Sequence, residues 1–501
     1  MMTNIPAWMI VVFAVYAIPL LFIFLYSLTQ LNLVYRCFKH RKNSPPVSQN
    51  DSARLPDLES LPLVTVQLPV FNELYVVERL IDAVSAFDYP LNRLEIQVLD
   101  DSTDETSDLA EAKCKILKAR GLDISHIRRD DRTGFKAGAL AYGLALAKGD
   151  FIAIFDADFL PPPDFLLRTI PHFNDLSIGV VQTRWEHVNE NYSLLTHLQA
   201  FGLDAHFNVE QQGRYAGGYF MNFNGTGGVW RRACILDAGN WHNDTLTEDL
   251  DLSYRAQVRG WKFKYLEKVG TPAELPVTMS ALKTQQFRWT KGAAECARKN
   301  LAEVFKSPKI SFVTKLHAFF HLTNSTVFPC ILISSLLSIP FLFIKSGYPQ
   351  YAGIYLYASF SLLSLLALGF FFRASRGFGK AVHFPSFLKD FLMFLSFSMG
   401  FSLHNTVAVV EGYAGKKIPF IRTPKYNINS STDSWKGKKY LVNSTDIITV
   451  MEFLLSLYFL SGVFLAFYLR EYALLPFHIM LALGFGAVAG YSIWQSKLTH
   501  K

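Results

Sequence analysis

Phe151-Ile152-Ala153-Ile154-Phe155-Asp156-Ala157-Asp158 is a short apolar run that ends in two alternate aspartates. Five consecutive apolar residues are too few for a core helix and read as a strand buried on both faces. Similar runs lie at residues 63–68, 94–99 and 124–128 upstream and at 178–182 downstream. Between them the spacing predicts helices near 74–86, 104–120, 136–148 and 163–173. Strands alternating with helices argue an α/β domain built on a mainly parallel sheet. Ligands of such sheets bind at the carboxyl ends of the strands, so the residues just past each run carry the functional question.

Polar and acidic groups cluster at those ends. Residues 63–68 lead into Pro69-Val70-Phe71-Asn72-Glu73, residues 94–99 into Asp100-Asp101-Ser102, and the central run into Asp156-Ala157-Asp158. One acidic turn alone would be an ordinary cap. Alternate carboxylates on neighbouring strand ends can instead converge on a hard divalent cation, which prefers oxygen ligands and accepts phosphate oxygens as partners. Further on, Thr247-Glu248-Asp249 opens a helical pattern over 250–258; taken alone, capping and the helix dipole explain that composition. Gln285-Gln286-Phe287-Arg288-Trp289 sets a permanent cation and a large aromatic surface within one helical turn. Arg suits a diphosphate because its fork matches phosphate oxygens, and Trp can stack on a sugar face. The bland alternative is an amphipathic helix lying on a membrane surface.

That alternative matters because half of the 501 residues are apolar and Phe alone occurs 43 times. Runs long enough to cross a bilayer fall at 8–34, 316–344, 351–372, 449–468 and 473–494. The first has no basic residue before it and Arg36, Lys39, His40, Arg41 and Lys42 after it, which places its N-terminus outside and argues against a cleaved signal. A sixth run, 387–410, carries Lys389, Asp390, His404 and Asn405. If it spanned, the Lys-rich loop at 411–445 would face outward against the positive-inside rule, so an interfacial or re-entrant helix is expected. The expected organisation is a membrane helix at 1–35, a basic Pro/Ser linker at 36–60, a cytoplasmic catalytic domain at 61–315, a membrane hairpin at 316–373, the interfacial helix and a cytoplasmic loop at 374–446, and a second hairpin at 447–501. In such a chain the net charge of +8 marks cytoplasmic loops and not nucleic-acid binding. The five scattered cysteines, with no C-x-x-C pair, read as reduced and structural.

Asp-Asp-Ser at 100–102, Asp-Ala-Asp at 156–158, Thr-Glu-Asp at 247–249 and Gln-Gln-Phe-Arg-Trp at 285–289 occur in this order. The set resembles the D, DxD, TED, QxxRW signature of family 2 inverting glycosyltransferases of the cellulose synthase superfamily, and is most similar to its cellulose-synthase-like A and C branches. Supporting stretches are Gly134 to Leu140, Val181 to Trp185, Phe223 to Arg231 and Phe420 to Lys425, so the resemblance covers roughly residues 60 to 430. It implies a GT-A-like α/β domain on the cytoplasmic side, joined to about five transmembrane helices, with a nucleotide-sugar donor and Mg²⁺ or Mn²⁺. It also implies roles. Asp101, Glu73 and the Pro69 loop would hold the nucleoside, Lys136 the donor phosphates, and Asp158 with Asp156 the metal. Asp249 would be the general base. Gln285 and Arg288 would meet the diphosphate; Asn224, Gly225, Thr226, Glu248 and Trp289 would contact the acceptor, and Arg422, Thr423 and Lys425 would form a gating loop.

The function so implied is hexose transfer from UDP-glucose or GDP-mannose into a processive β-glucan or β-mannan, moved across the bilayer. Accessory cell-envelope subunits are candidate partners. A non-processive lipid glucosyltransferase is the alternative, and a non-catalytic nucleotide-sugar-binding transporter or receptor a remote one. A bacterial inner membrane and a eukaryotic Golgi membrane both fit.

Overall fold

A computed structural model describes residues 6–43, 60–351, 359–377, 383–441 and 446–499. At its centre is one seven-stranded sheet: β1 (Val64–Val70), β2 (Leu94–Asp100), β3 (Asp123–Ile127), β4 (Phe151–Ile154), β5 (Ile178–His187), β6 (Gly228–Arg231) and β7 (Lys262–Ala273). Their spatial order is β3-β2-β1-β4-β6-β5-β7. β1 pairs in parallel with β2 and β4, β2 with β3, and β5 with β7. Only β6 runs antiparallel, against both β4 and β5. The sheet is therefore mainly parallel, as the alternation of patterns implies.

Its continuous apolar strands follow from having both faces covered. One face packs on the helices Val77–Ser85 and Thr106–Ala119, the other on Phe135–Leu146 and Glu248–Val258. Polar side chains inside the sheet pair with one another, as burial requires: Thr65 Oγ1 donates to Glu95 (2.6 Å) and Gln67 Nε2 to Gln97 (3.0 Å). Two strands were not expected from the pattern. β6 has four residues, too few to signal, and begins at a glycine whose Cβ would stand 2.6 Å from the Val181 carbonyl. β7 is rich in Lys and Glu because it forms the sheet edge, where charge blunts pairing with other chains.

The helix Met279–Lys306 joins this domain to the apolar helices. Gly412 lets the helix Ser402–Ala414 approach closely, since a Cβ there would meet the Lys291 carbonyl at 2.7 Å. Beside it, buried Lys291 pairs with Glu411 (3.0 Å). Near the other end, Lys283 Nζ pairs with Glu452 (2.7 Å) and donates to Thr449 (3.2 Å), and Gln495 accepts from the Met279 amide (2.6 Å).

Among the described residues, four helices are long and apolar enough to cross a membrane: Ala7–Asn43, Asn324–Gly347, Ile447–Tyr468 and Tyr472–Leu498. The first runs on through the basic cluster to pair Arg41 with Glu267 of β7, tying it to the sheet. The run expected from 316 is broken: Phe312–Leu322 is a separate helix, because the polar stretch Thr323-Asn324-Ser325-Thr326 forms a tight turn before the long helix continues. Of the run expected at 351–372, Leu362–Ser375 is a shorter apolar helix, and residues 352–358 lie outside the description, as does most of the expected 36–60 linker. The run at 387–410 is two helices, Phe384–Gly400 and Ser402–Ala414, bent by 52°, the geometry of a broken span or a re-entrant segment.

The Lys283–Glu452 pair is almost fully buried, with side-chain exposures of 7% and 0%. Removing one partner leaves an uncompensated charge, which costs about 3–5 kcal/mol, whereas replacing both with apolar groups is near neutral. Lys283→Met is therefore expected to lower the melting temperature in detergent clearly, and Lys283→Met combined with Glu452→Met to restore most of the loss.

Candidate active site

The carboxyl ends of β1, β2 and β4, the helix Glu248–Val258, the helix Met279–Lys306 and the loop around 420–425 enclose a cavity of about 180 Å³. Every residue to which the resemblance gives a role lines it except one. Thr226 is a correction: it was expected at the acceptor pocket, but it is fully buried behind the cavity, where its hydroxyl accepts the Asp156 amide (2.9 Å) and its carbonyl accepts from Gln182 (3.1 Å). A small β-branched residue at the start of β6 is used there to fix the turn after β4.

Each acidic group at the strand ends meets a cation. Arg129 forks onto Asp101, Nε at 3.0 Å from Oδ1 and Nη2 at 2.5 Å from Oδ2. Lys136, in the first turn of the helix Phe135–Leu146, places its Nζ 2.5 Å from Asp156 Oδ1 and 3.0 Å from the Gly225 carbonyl. Lys425 stands 2.5 Å from Asp158 Oδ2, and Arg422 3.3 Å from Glu73 Oε2. Arg288 donates to the Ile421 carbonyl (3.3 Å) and to Thr423 (3.4 Å), with its guanidinium over the Phe420 ring. The loop 420–425 thus lies across the mouth of the cavity, held by the charges beneath it.

Asp249 sits in the first turn of its helix, where Thr247 makes no side-chain cap and Asp249 Oδ1 accepts the Leu250 amide (2.8 Å). Burial, then the like charge of Glu248, pushes the Asp249 carboxyl up to about 7, against the pull of Lys136. Glu248 is raised by burial too, with Lys136 opposing, and burial lifts Glu73 to about 8 although Arg422 pulls it down. Burial works against the Lys136 ammonium, but Asp156 and Glu248 more than offset it and hold its pKa above the ordinary lysine value. Gly225 has φ +78°, and a Cβ on it would stand 3.0 Å from Asp249 Oδ2, so only glycine leaves that carboxylate open.

Asp156 and Asp158 offer hard oxygens on one strand end, which suits a Mg²⁺ or Mn²⁺ ion completed by phosphate oxygens. Their present lysine partners show that this spot already favours positive charge. A second group, His242, Asp244 and Asp251, has ligand geometry as well, but Lys299 and Arg255 already satisfy its carboxylates (2.6 to 3.1 Å). It is an ion-pair network away from the cavity. Beyond Trp289 a further cavity of about 220 Å³ continues toward the apolar helices, walled by Trp289, Phe394, Phe397 and Phe401 and by the amides of Gln199, Gln285, Gln286 and Asn405.

Sequence reasoning missed Arg129, Arg132, Trp185 and Glu274. Arg132 stacks over Phe71 beside Asp101, and Glu274, buried, accepts from Arg79 (2.9 Å) and the Tyr426 amide (2.8 Å) to anchor the loop. Arg128, Arg129 and Arg132 follow β3, so their strand-end position was a usable signal; Glu274 stands just past a strand the pattern did not reveal.

A buried carboxyl of raised pKa, a cluster of phosphate-suited cations and paired carboxylates line one cavity, and the relatives make the chain a nucleotide-sugar-dependent hexosyltransferase. The model of "Glycosyltransferase like family 2" matches residues 62–292. The probable glucomannan 4-beta-mannosyltransferase 11 of Oryza sativa subsp. japonica is 36% identical over 409 residues, which cover 78% of this chain and 67% of that protein. Glucomannan 4-beta-mannosyltransferase 1 of the same species is 34% identical over 440 residues, 83% of this chain and 78% of that one. The chain belongs to the family 2 glycosyltransferases, with these mannosyltransferases among its relatives. The mannosyltransferase PcManGT from Pyrobaculum calidifontis, solved in complex with GDP-Man and Mn²⁺, shares the fold with a TM-score of 0.50 at 20% identity, over 73% of this chain and 97% of that one.

The raised Asp249 carboxyl sets a pH expectation. A carboxylate takes up a proton only when ionised, so a transfer step that uses Asp249 should climb as pH rises through the neutral region, well above the range of an ordinary aspartate. A profile of kcat/KM against pH checks this; a rate already at its plateau at pH 5 contradicts it.

Proposed function

We propose that this protein uses GDP-mannose to extend a β-1,4-linked mannan and feeds the chain toward the membrane helices. The observation that carries the reading is Asp249, a buried carboxylate of raised pKa at the wall of a cavity that Lys136, Arg288 and the Asp156–Asp158 pair also line. The names of the curated relatives support mannose over glucose and the 4-linkage. The amide and aromatic lining beyond Trp289 supports a chain that leaves through the apolar helices, since rings stack on sugar faces and amides bond hydroxyls.

In this reading the nucleoside rests against Asp101, Pro69 and Glu73, and the diphosphate against Lys136, Gln285 and Arg288. A divalent cation bound by Asp158 and Asp156 supplies charge neutralisation for the departing diphosphate. Arg422, Thr423 and Lys425 close over the donor and exclude water. Trp289 stacks on the terminal acceptor sugar, with Asn224, Gly225 and Glu248 beside it. The acceptor hydroxyl gives its proton to Asp249 as its oxygen attacks the anomeric carbon from the face opposite the diphosphate; the C–O bond to the diphosphate breaks and the configuration inverts to β. Residues 61–315 and the loop 411–445 face the cytoplasm, in a Golgi-type or bacterial inner membrane, with the bilayer around the apolar helices.

Purified protein in lipid with Mn²⁺ or Mg²⁺, given radiolabelled GDP-mannose or UDP-glucose, tests the proposal by product size. A long β-linked mannan from GDP-mannose is expected; a short product that partitions into organic solvent contradicts the polymer and makes the protein a glycolipid-forming transferase. Asp249→Asn should retain donor binding while transfer falls at least about a hundredfold.

A further inference from the structure

The long helix beside the cavity contains one π-helical turn, His206–Gln211, between the α-helical segments Leu194–Ala205 and Gln212–Gly217. Such turns are rare and concentrate at functional sites. This one presents His206 with oxygens at both ring nitrogens: Nδ1 is 2.9 Å from Glu210 Oε2 and Nε2 is 3.1 Å from Asn224 Oδ1. Glu210 is held in turn by Arg214, whose Nε and Nη2 donate to Oε1 (3.1 and 2.7 Å). Burial disfavours the Glu210 charge, but Arg214 and the bond from His206 keep its carboxyl well below the ordinary range. Arg214 itself is 1% exposed, so the array is rigidly seated in the fold.

Asn224 is where the array ends. Its Oδ1 accepts from Asn222 Nδ2 (2.7 Å) and lies 3.1 Å from His206 Nε2, which donates to it when the ring carries a proton on both nitrogens, Nδ1–H being directed at Glu210; its backbone amide donates to Gln182 (2.9 Å). Asn222, whose own Oδ1 accepts from Gln211 Nε2 (3.2 Å), presents its Nδ2 to this oxygen, which leaves a single orientation for the Asn224 amide. Its Nδ2 is buried and makes no hydrogen bond, although Asn224 lines the cavity next to Gly225 and Asp249. A buried N–H₂ without a partner is costly unless a ligand completes it.

We infer that His206, Glu210 and Arg214 are positioning residues that lock the Asn224 amide so that its Nδ2 donates to a hydroxyl of the terminal acceptor sugar, setting which hydroxyl is presented to Asp249. This rests on the reading above that the cavity receives a glycan acceptor. The array touches none of the donor-side groups, so its effect belongs to the acceptor alone.

The test is a double-mutant cycle on His206 and Asn224, with whichever of GDP-mannose and UDP-glucose the wild type turns over and the matching β-linked tetrasaccharide as acceptor. His206→Ala should raise the acceptor KM about tenfold, the scale of one lost buried hydrogen bond, and leave the donor KM unchanged. His206→Gln, which can still donate to Asn224 Oδ1, should recover most of that loss, and His206→Ala should add nothing in an Asn224→Ala background. If His206→Ala does not fold, Asn224→Asp reads the same donor, because it keeps an accepting oxygen toward His206 and replaces the N–H₂ by a carboxylate oxygen that cannot donate when ionised. Effects that multiply in the double variant, a shift in donor KM, or an unchanged acceptor KM in Asn224→Asp overturn the inference alone. A wild type that transfers from neither donor overturns the proposed function and this inference with it.

Discussion

Like charges brought together in a cleft repel, and this fold gathers Glu73, Asp101, Asp156, Asp158, Glu248 and Asp249 around one cavity. The arrangement stands because each cluster faces a cation from a distant part of the chain. Arg129 comes from the end of β3, Lys136 from the helix after it, and Arg422 and Lys425 from a loop nearly three hundred residues further on. The loop has no regular structure of its own and lies across the cavity because its cations are attracted to the carboxylates there. A nucleoside diphosphate with a divalent ion changes that balance, since it brings both signs of charge to the same spot. The seating of the loop and the charge of the cavity therefore depend on one electrostatic field.

Packing makes this field coherent with the membrane part. The helix Met279–Lys306 carries Gln285, Arg288 and Trp289 on the face toward the cavity, while Lys283 and Lys291 on other faces are buried against Glu452 and Glu411 of the apolar helices. Gly292 and Gly412 allow the close contacts, with Thr247 on one side and the Lys291 carbonyl on the other. A shift of this helix would move Gln285, Arg288, Trp289 and the wall of the second cavity together.

The sheet and much of the cavity lining were legible in the sequence for a physical reason: Glu73, Asp101, Asp156 and Asp158 lie just past buried strands, and a run such as Phe151 to Phe155 announces such a strand. What escaped has equally definite causes. β7 is an edge strand whose lysines hide its alternation, so Glu274 at its end had no signal. The partners Arg129–Asp101 and Lys425–Asp158 are joined through the tertiary fold, which no local pattern reports. Thr226 belonged to a stretch that also supplies Asn224 and Gly225, and only the turn geometry shows that its side chain points back toward the Asp156 amide. The π-helical turn has the composition of an ordinary helix. In the membrane part, hydropathy marked the long helices but not the break at Thr323 or the bend at Phe401, where polar residues and a close glycine contact decide.

The central claim is that Asp156 and Asp158 are where metal and diphosphate meet. Its most direct measurement is an anomalous-difference map from crystals of the full chain grown with Mn²⁺ and GDP. The account predicts one strong peak within coordination distance of the Asp158 carboxylate, with Lys425 displaced from it. A peak at His242, Asp244 and Asp251, with the Lys425–Asp158 pair intact and nucleotide bound elsewhere, would contradict it.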